Sequence, residues 1–248
     1  MIKATSRRRW LNRRTQSGWM PVLLVGLLFG LPASAEQAPV SDGAVGDPES
    51  ERYQELEKGR SAYKETWVLP GADLSGYSKV YLWDAQFEYR DVGDPKKYRT
   101  TMSRSSRTKF GVSEADRAKF EETVSESFNQ ELARGKRFEI VDEIGPNTLI
   151  LRGALLDVIS YVPPESVGRT DVYLANIGEA TVVIEVLDAD SGAVLAVVSE
   201  RRKITPPGGG QIDQFTPRAN NVTITADVRR WASSAASKLR KELDKAMK

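Results

Sequence analysis

Residues 177–204 constrain the fold most, because they contain two long runs in which apolar and polar residues alternate. The first run places apolar side chains at every second position: Ala180, Val182, Ile184 and Val186. A period of two in β-branched residues is typical of a strand. Between the runs, residues 188–192 read Asp-Ala-Asp-Ser-Gly, which is rich in turn-forming residues. The pattern therefore predicts a β-hairpin in a central, well-covered part of a sheet.

Two segments have the apolar spacing of amphipathic helices. The first, residues 113–134, begins at the capping residue Ser113 and has Phe, Val, Phe and Leu at intervals of four. The second, residues 225–246, begins at Thr225 and has an apolar stripe that includes Trp231 and Leu239. We expect both helices to pack on the sheet, although a basic amphipathic helix such as the second can also lie on a membrane surface.

The remaining periodic segments complete an α+β domain. Strands are predicted at residues 79–89, 137–141 and 148–161, and a short helix at residues 53–65. Together with the hairpin and the two long helices, this order predicts a two-layer sandwich. Its sheet should be mixed and mostly antiparallel, with about five strands and with the two long helices on one face.

The amino-terminal residues have the three parts of an export signal. A basic segment is followed by an apolar run from Trp19 to Leu31 and then by Ala33-Ser34-Ala35. We expect cleavage after Ala35, a disordered linker at residues 36–52 and a single α+β domain at residues 53–248. An uncleaved anchor is the alternative to cleavage. Residues 6–11 also resemble the twin-arginine export motif, and both this route and the general secretory route lead to the periplasm.

The absence of cysteine and histidine excludes several kinds of site. Ser-His-Asp and Cys-His nucleophiles cannot form, nor can zinc sites built on these residues. The chain also lacks the cysteine that anchors a lipoprotein. Residues 1–35 hold six of the 36 basic residues and none of the 34 acidic ones. The chain without these residues therefore has a net charge of −4. We therefore expect no nucleic-acid partner, no cofactor and no transmembrane segment in the mature chain.

A basic connection lies between the first strand and the first long helix. Residues 90–110 contain seven basic and two acidic residues. We assign a candidate contact surface for an anionic glycan, a lipid headgroup or an acidic partner to four of these residues: Arg99, Arg104, Arg107 and Lys109. The alternative is a solvated loop that binds nothing.

Asp157 and a set of four aromatic residues each have two possible interpretations. Asp157 interrupts an apolar run, and it is either a lone catalytic carboxylate or a hydrogen-bonded position in a strand. Four aromatic residues are either a ligand-binding cluster or ordinary packing residues: Trp67, Tyr77, Trp83 and Phe87.

Several fragments together resemble a known family. They are WVLPGADLSGYSKVYL at residues 67–82, RFEIVD at 137–142, GEATVVIEVLDADSGAVLAVVSERR at 178–202 and TADVRRWASSAASKLRKELD at 225–244. This set is similar to the bacterial envelope family catalogued as domain of unknown function three-three-one-three, over about residues 60–246. Many relatives look like lipoproteins, and this chain departs from them because it has no cysteine. The resemblance implies an envelope location and supplies no catalytic residues.

The leading functional hypothesis is a non-catalytic periplasmic module that binds another component of the cell envelope, a protein or a glycan. The alternative is a hydrolase of envelope glycans that uses only carboxylates. It requires two carboxylates about 5–9.5 Å apart in one cleft, with one pKa raised. A third hypothesis is an accessory protein that forms homo-oligomers, which requires an exposed apolar patch or a bare sheet edge.

Overall fold

The computed structural model describes residues 53–92, 109–163, 173–207 and 219–248. The strands in chain order are β1 (Glu57–Lys58), β2 (Glu65–Val68), β3 (Lys79–Leu82), β4 (Gln86–Tyr89), β5 (Glu139–Val141), β6 (Thr148–Ser160), β7 (Gly178–Asp188) and β8 (Val194–Ile204). The helices are α1 (Glu114–Leu132) and α2 (Asn221–Ala246).

The strands form one mixed sheet in the order β1-β2-β8-β7-β6-β3-β5, and β4 pairs with β6 beside β3. Pairing is antiparallel from β1 through β2, β8 and β7 to β6. The contacts of β3 with β5 and β6, and of β4 with β6, are parallel. The α+β class and the two helices on one face are confirmed, whereas the described chain has eight strands instead of about five.

The predicted hairpin is confirmed as β7 and β8, which pair from Gly178 opposite Ile204 to Leu187 opposite Val194. The apolar positions that alternate along β7 are at most 5% exposed and belong to the main core: Ala180, Val182, Ile184 and Val186. Gly192 has a φ of 72° in the turn, a conformation that glycine adopts without a steric penalty. Near the turn a smaller cluster around Ile150, Leu187 and Val194 covers the opposite face of the sheet.

Both helices turn their apolar stripes to the sheet. In α1, Ser113 is the N-cap and accepts a hydrogen bond from the backbone N–H of Asp116, as predicted. In α2, the stripe of Val228, Trp231 and Leu239 is buried. Three alanines of α2 have no exposed surface, which allows close packing around the helix: Ala232, Ala235 and Ala236.

The predicted start of the second helix at Thr225 is wrong. The helix begins at Asn221, and the side chain of Asn220 accepts hydrogen bonds from the backbone N–H groups of Val222 and Thr223. The side chain of Thr223 bonds back to Asn220, which completes a capping box. The hydroxyl of Thr225 donates to the carbonyl of Asn221 inside the helix, so it satisfies no free N–H group.

The single strand predicted at residues 79–89 is two strands. Leu82 lies opposite Leu151, and Gln86 lies opposite Ala154, so this segment has one residue more than β6 between the two pairs. An uninterrupted strand would place Leu82 and Phe87 on opposite faces, because they are five residues apart. The extra residue places both side chains against the core under the helices.

The short helix predicted at residues 53–65 is also wrong. The segment contains a turn, β1 and the start of β2. Strand β2 pairs with β8 from Glu65 opposite Ser199 to Val68 opposite Ala196. Because this pairing extends the sheet by two strands, it accounts for part of the higher strand count.

Candidate binding cavity

A cavity of about 780 Å³ lies at one end of the sheet, beneath the amino-terminal ends of α1 and α2. Strands β4 and β6 reach it with their carboxyl ends, β7 with its first residue and β8 with its last. The two helices enter from the other side with their first turns. The antiparallel pairing of β7 with β6 and β8 places these strand ends together, although they are far apart in the sequence.

The inner wall of the cavity is apolar. Eight aliphatic or aromatic residues line it: Phe120, Val158, Ile159, Val162, Ile177, Ile204, Ile224 and Val228. Ile177 and Ile204 are at most 4% exposed and belong to the main core, so this wall is continuous with the core. Thr123 adds a hydroxyl, which donates to the carbonyl of Lys119. Such a wall favours contact with hydrocarbon over contact with a hydroxyl-rich ligand.

The rim is polar and carries charges of both signs. Arg117 and Lys119 on α1 and Arg90 after β4 contribute three cations, and Asp91 and Asp116 contribute two carboxylates. The guanidinium of Arg117 lies 4.6 Å from the centre of the Tyr89 ring. Its Nε donates to the carbonyl oxygen of Val112 at 3.1 Å. These two contacts hold the Arg117 cation at the mouth of the cavity.

Tyr89 connects the rim to α1. Its ring packs edge-on against Phe120, and its hydroxyl donates to the carboxylate of Glu121 at 3.1 Å. Burial, followed by the charge of Glu121, raises the pKa of the Tyr89 phenol. The phenol therefore stays neutral and acts as a hydrogen-bond donor at physiological pH.

An ion-pair network lies beside the cavity on the opposite face of the sheet. Asp157 has a φ of 54° in a β-bulge of β6. Its carboxylate accepts hydrogen bonds from Arg90 and from Arg201, and the Arg201 bond measures 2.8 Å. Arg201 also donates to Glu179 at 2.7 Å. The hydrogen bond from Arg90, followed by the charge of Arg201, lowers the pKa of the Asp157 carboxyl against the opposing effect of burial.

Of the two interpretations of Asp157, the structure supports the hydrogen-bonded position. A general acid requires a raised pKa, whereas the two guanidinium groups keep this carboxyl ionised. The bulge also turns Val158 to the core side, although strict alternation placed Val158 on the face opposite Leu155. This residue then becomes part of the apolar wall of the cavity.

The four residues of the candidate contact surface lie mostly beyond the described chain. Arg99, Arg104 and Arg107 lie outside the described residues. Lys109 is described and half-buried, next to Phe110, which forms an isolated bridge with Ser160. The contact surface therefore stays a prediction.

The aromatic residues considered as one ligand-binding cluster lie in separate places. Phe87 packs edge-on against Phe120 at 6.2 Å between ring centres. Trp83 packs against Tyr81 at 6.1 Å and is 47% exposed. Trp67 pairs with Val197 near the opposite edge of the sheet, in β2. This distribution supports the packing interpretation.

Among the described residues, no carboxyl group shows the raised pKa that the hydrolase hypothesis requires. The carboxyl groups whose pKa departs clearly from the ordinary value are all shifted downward: Asp73, Asp157, Glu179 and Asp188. Within the same residues, no group of three acidic side chains is arranged to hold a metal ion. No helix among them has the length and apolar character needed to span a bilayer.

Sequence reasoning missed the cavity, because its described lining comes from six separate segments. One feature of the sequence could have indicated the cavity. In Val222-Thr223-Ile224, apolar residues precede Thr225, the position predicted as the helix cap. Ile224 points into the cavity lining, whereas Val222 is 79% exposed.

Comparison with known proteins identifies a family by sequence. The model of DUF3313, a family of proteins of unknown function, matches residues 42–238. No curated protein matches the sequence.

Several solved structures resemble the chain at low identity. The PelC dodecamer from Paraburkholderia phytofirmans is 12% identical with a TM-score of 0.32, and the match covers 70% of this chain and 96% of that chain. A Xanthomonas campestris protein of family DUF330 is 9% identical with a TM-score of 0.38, over 69% of this chain and 85% of that chain. A candidate lipoprotein from Caulobacter crescentus CB15 is 21% identical with a TM-score of 0.31, over 52% and 83% respectively.

Proposed function

The chain belongs to DUF3313, a family of proteins of unknown function, and we propose that it is a non-catalytic module of the bacterial cell envelope that binds an apolar small molecule. The observation that carries this proposal is the cavity of about 780 Å³ at the amino-terminal ends of α1 and α2. Its volume lies within the range of about 300–1,000 Å³ that is usual for small-molecule sites.

The composition of the cavity supports binding over catalysis. An apolar inner wall with a few polar groups at the rim is the usual arrangement of a binding pocket. The wall provides the free energy of binding, because burial of apolar surface is favourable at about 25 cal/mol per Å². The rim groups orient the ligand.

The envelope location rests on residues 1–35, which have the pattern of an export signal. We expect the chain recovered from the periplasm to begin at Glu36, as mass spectrometry of its amino-terminal peptide would measure. A cytoplasmic chain that still begins at Met1 would contradict the location without affecting the cavity.

Binding can be tested with N-phenyl-1-naphthylamine, an uncharged dye whose fluorescence rises in an apolar site. We expect saturable binding of one dye molecule per chain of the purified protein. Ile224→Trp should abolish it, because the indole would fill space between α2 and the strand ends. Val222→Trp is the matched control, since it adds the same side chain two residues away at a position that is 79% exposed.

Two results would contradict the proposal. The first is a fluorescence rise that does not saturate at one dye per chain, which indicates adsorption to the surface. The second is equal binding by the Ile224→Trp and Val222→Trp variants, which would place the dye elsewhere. Far-UV circular dichroism of both variants establishes that each is folded.

A further inference from the structure

We propose that the ligand of the cavity is an anionic amphiphile with one long hydrocarbon chain, such as a fatty acid or a single-chain lipid phosphate. This inference rests on the proposed binding function and specifies the chemistry of its ligand. The hydrocarbon chain would lie against the inner wall, and the anionic head would lie at the rim beside Arg117 and Lys119.

The wall determines the chain part of the ligand. Its eight apolar residues come from both helices and from the ends of β6, β7 and β8. Among the described residues that line it, Thr123 is the one buried polar side chain, and it already donates its hydroxyl proton to a backbone carbonyl. A sugar or a peptide would leave its own polar groups unpaired against this wall, whereas a hydrocarbon chain has none to satisfy.

The charges of the rim determine the head of the ligand. Arg117 faces an aromatic ring and a backbone carbonyl, and no ion pair joins it or Lys119 to a carboxylate within the described ranges. Of the two rim carboxylates, Asp116 accepts a hydrogen bond from the N-cap Ser113 and so serves the cap of α1. The other is Asp91.

The first turn of α2 also faces the cavity. It lines the cavity with Asn221, Ile224 and Thr225, and it contains no acidic residue. The positive end of this 26-residue helix is therefore not offset by a carboxylate of its own first turn. This helix end and the two cations of α1 are the groups that would bind an anionic head.

The inference can be tested by displacement of the dye with four ligands that share a twelve-carbon chain. They are laurate, dodecanol, dodecyltrimethylammonium and lauroyl lysophosphatidate. We expect laurate to bind about fivefold more tightly than dodecanol, because two partly exposed cations and a helix end each contribute a modest factor. The cationic amphiphile should bind more weakly than dodecanol. Decanoate should bind about fifteenfold more weakly than laurate, since each buried methylene contributes about a factor of four.

Variants separate the rim from the wall. Lys119→Glu should remove most of the preference for laurate over dodecanol. Lys64→Glu is the matched control, because Lys64 is exposed and does not line the cavity. A preference of the wild type for the lysophosphatidate over laurate would assign the ligand to the lipid phosphates, and the reverse would assign it to the fatty acids.

The outcomes distinguish the two proposals. If the dye binds in the cavity but laurate, dodecanol and the cationic amphiphile displace it equally, the inference about the head is wrong and the binding function stands. If shortening the chain does not weaken binding, the inference about the chain is wrong. If the dye does not bind at all, both proposals fail.

Discussion

Asp157 allows a direct test of how the bulge in β6 is stabilised. Its φ of 54° lies in the left-handed region, which costs an alanine about 1 kcal/mol more than a glycine. We therefore expect Asp157→Gly to be more stable than Asp157→Ala by about 1 kcal/mol. At Ala154, three residues earlier in regular strand, Ala→Gly should destabilise by about 0.5–1 kcal/mol. Glycine should thus give the more stable protein at residue 157, and alanine should give the more stable protein at residue 154 of the same strand.

The loss of the carboxylate destabilises both Asp157→Ala and Asp157→Gly. Asp157 pairs with Arg90 and Arg201, and the side chains of the three residues are 31%, 38% and 35% exposed, respectively. Pairs this exposed are screened by solvent and contribute about 0.2–1 kcal/mol each. We expect both variants to lose about 0.5–2 kcal/mol from this source, which leaves the difference between them to the backbone.

Asp157→Asn isolates the charge, because asparagine has nearly the same shape and tolerates the left-handed region. The folded state lowers the pKa of Asp157 below its ordinary value of 3.8, so the carboxylate stabilises the fold above that pH. This contribution is lost as the pH falls through the lowered pKa. The wild type should therefore exceed Asp157→Asn in stability at about pH 7 and approach it at about pH 3.

The assay is urea denaturation followed by tryptophan fluorescence and far-UV circular dichroism, with the free energy of unfolding compared at a common slope. The reasoning is refuted if Asp157→Ala is as stable as Asp157→Gly, since the backbone would then not be strained at this residue. It is also refuted if the gap between the wild type and Asp157→Asn widens as the pH falls.

Three further changes test the packing and the helix cap by the same assay. Gly178→Ala should destabilise by more than about 2 kcal/mol, because its Cβ atom would lie 2.5 Å from a backbone oxygen of β6. Gly153→Ala should be neutral or stabilising, because the nearest neighbour of its Cβ atom would lie at 4.0 Å. Equal effects of the two substitutions would contradict this packing. Asn220→Ala should cost about 1 kcal/mol and Thr225→Ala clearly less, and the reverse order would restore the cap to position 225. Trp231→Phe should cost about 1–3 kcal/mol from lost packing alone, because the buried indole N–H has no hydrogen-bond partner in the described chain. A loss well above this range would point to a bond that the N–H makes.

Local periodicity was sufficient for the hairpin and for the helical stripes. Ala180 and Val182 are buried at the positions that alternation assigned, and Trp231 and Leu239 face the core as a period of 3.6 required. These features depend on residues within one or two turns or on neighbours along one strand. A short window of sequence therefore contains the information that determines them.

The pairing of strands was not accessible in the same way. The interruption between Leu82 and Gln86 and the bulge at Asp157 each depend on how many residues of one strand lie opposite another. An aspartate in an apolar run indicated an exception at residue 157, but the run itself does not contain the two arginines that pair with it.

The amino-acid sequence by itself determined the class of the fold, the hairpin and the two helices with their buried sides, because these follow from periods that repeat within a segment. Only the tertiary structure decided the candidate site. The cavity exists because six segments of the described chain meet at the same place, and the charges of its rim come from two of these segments. Neither property belongs to a segment alone, since both arise when distant residues become neighbours.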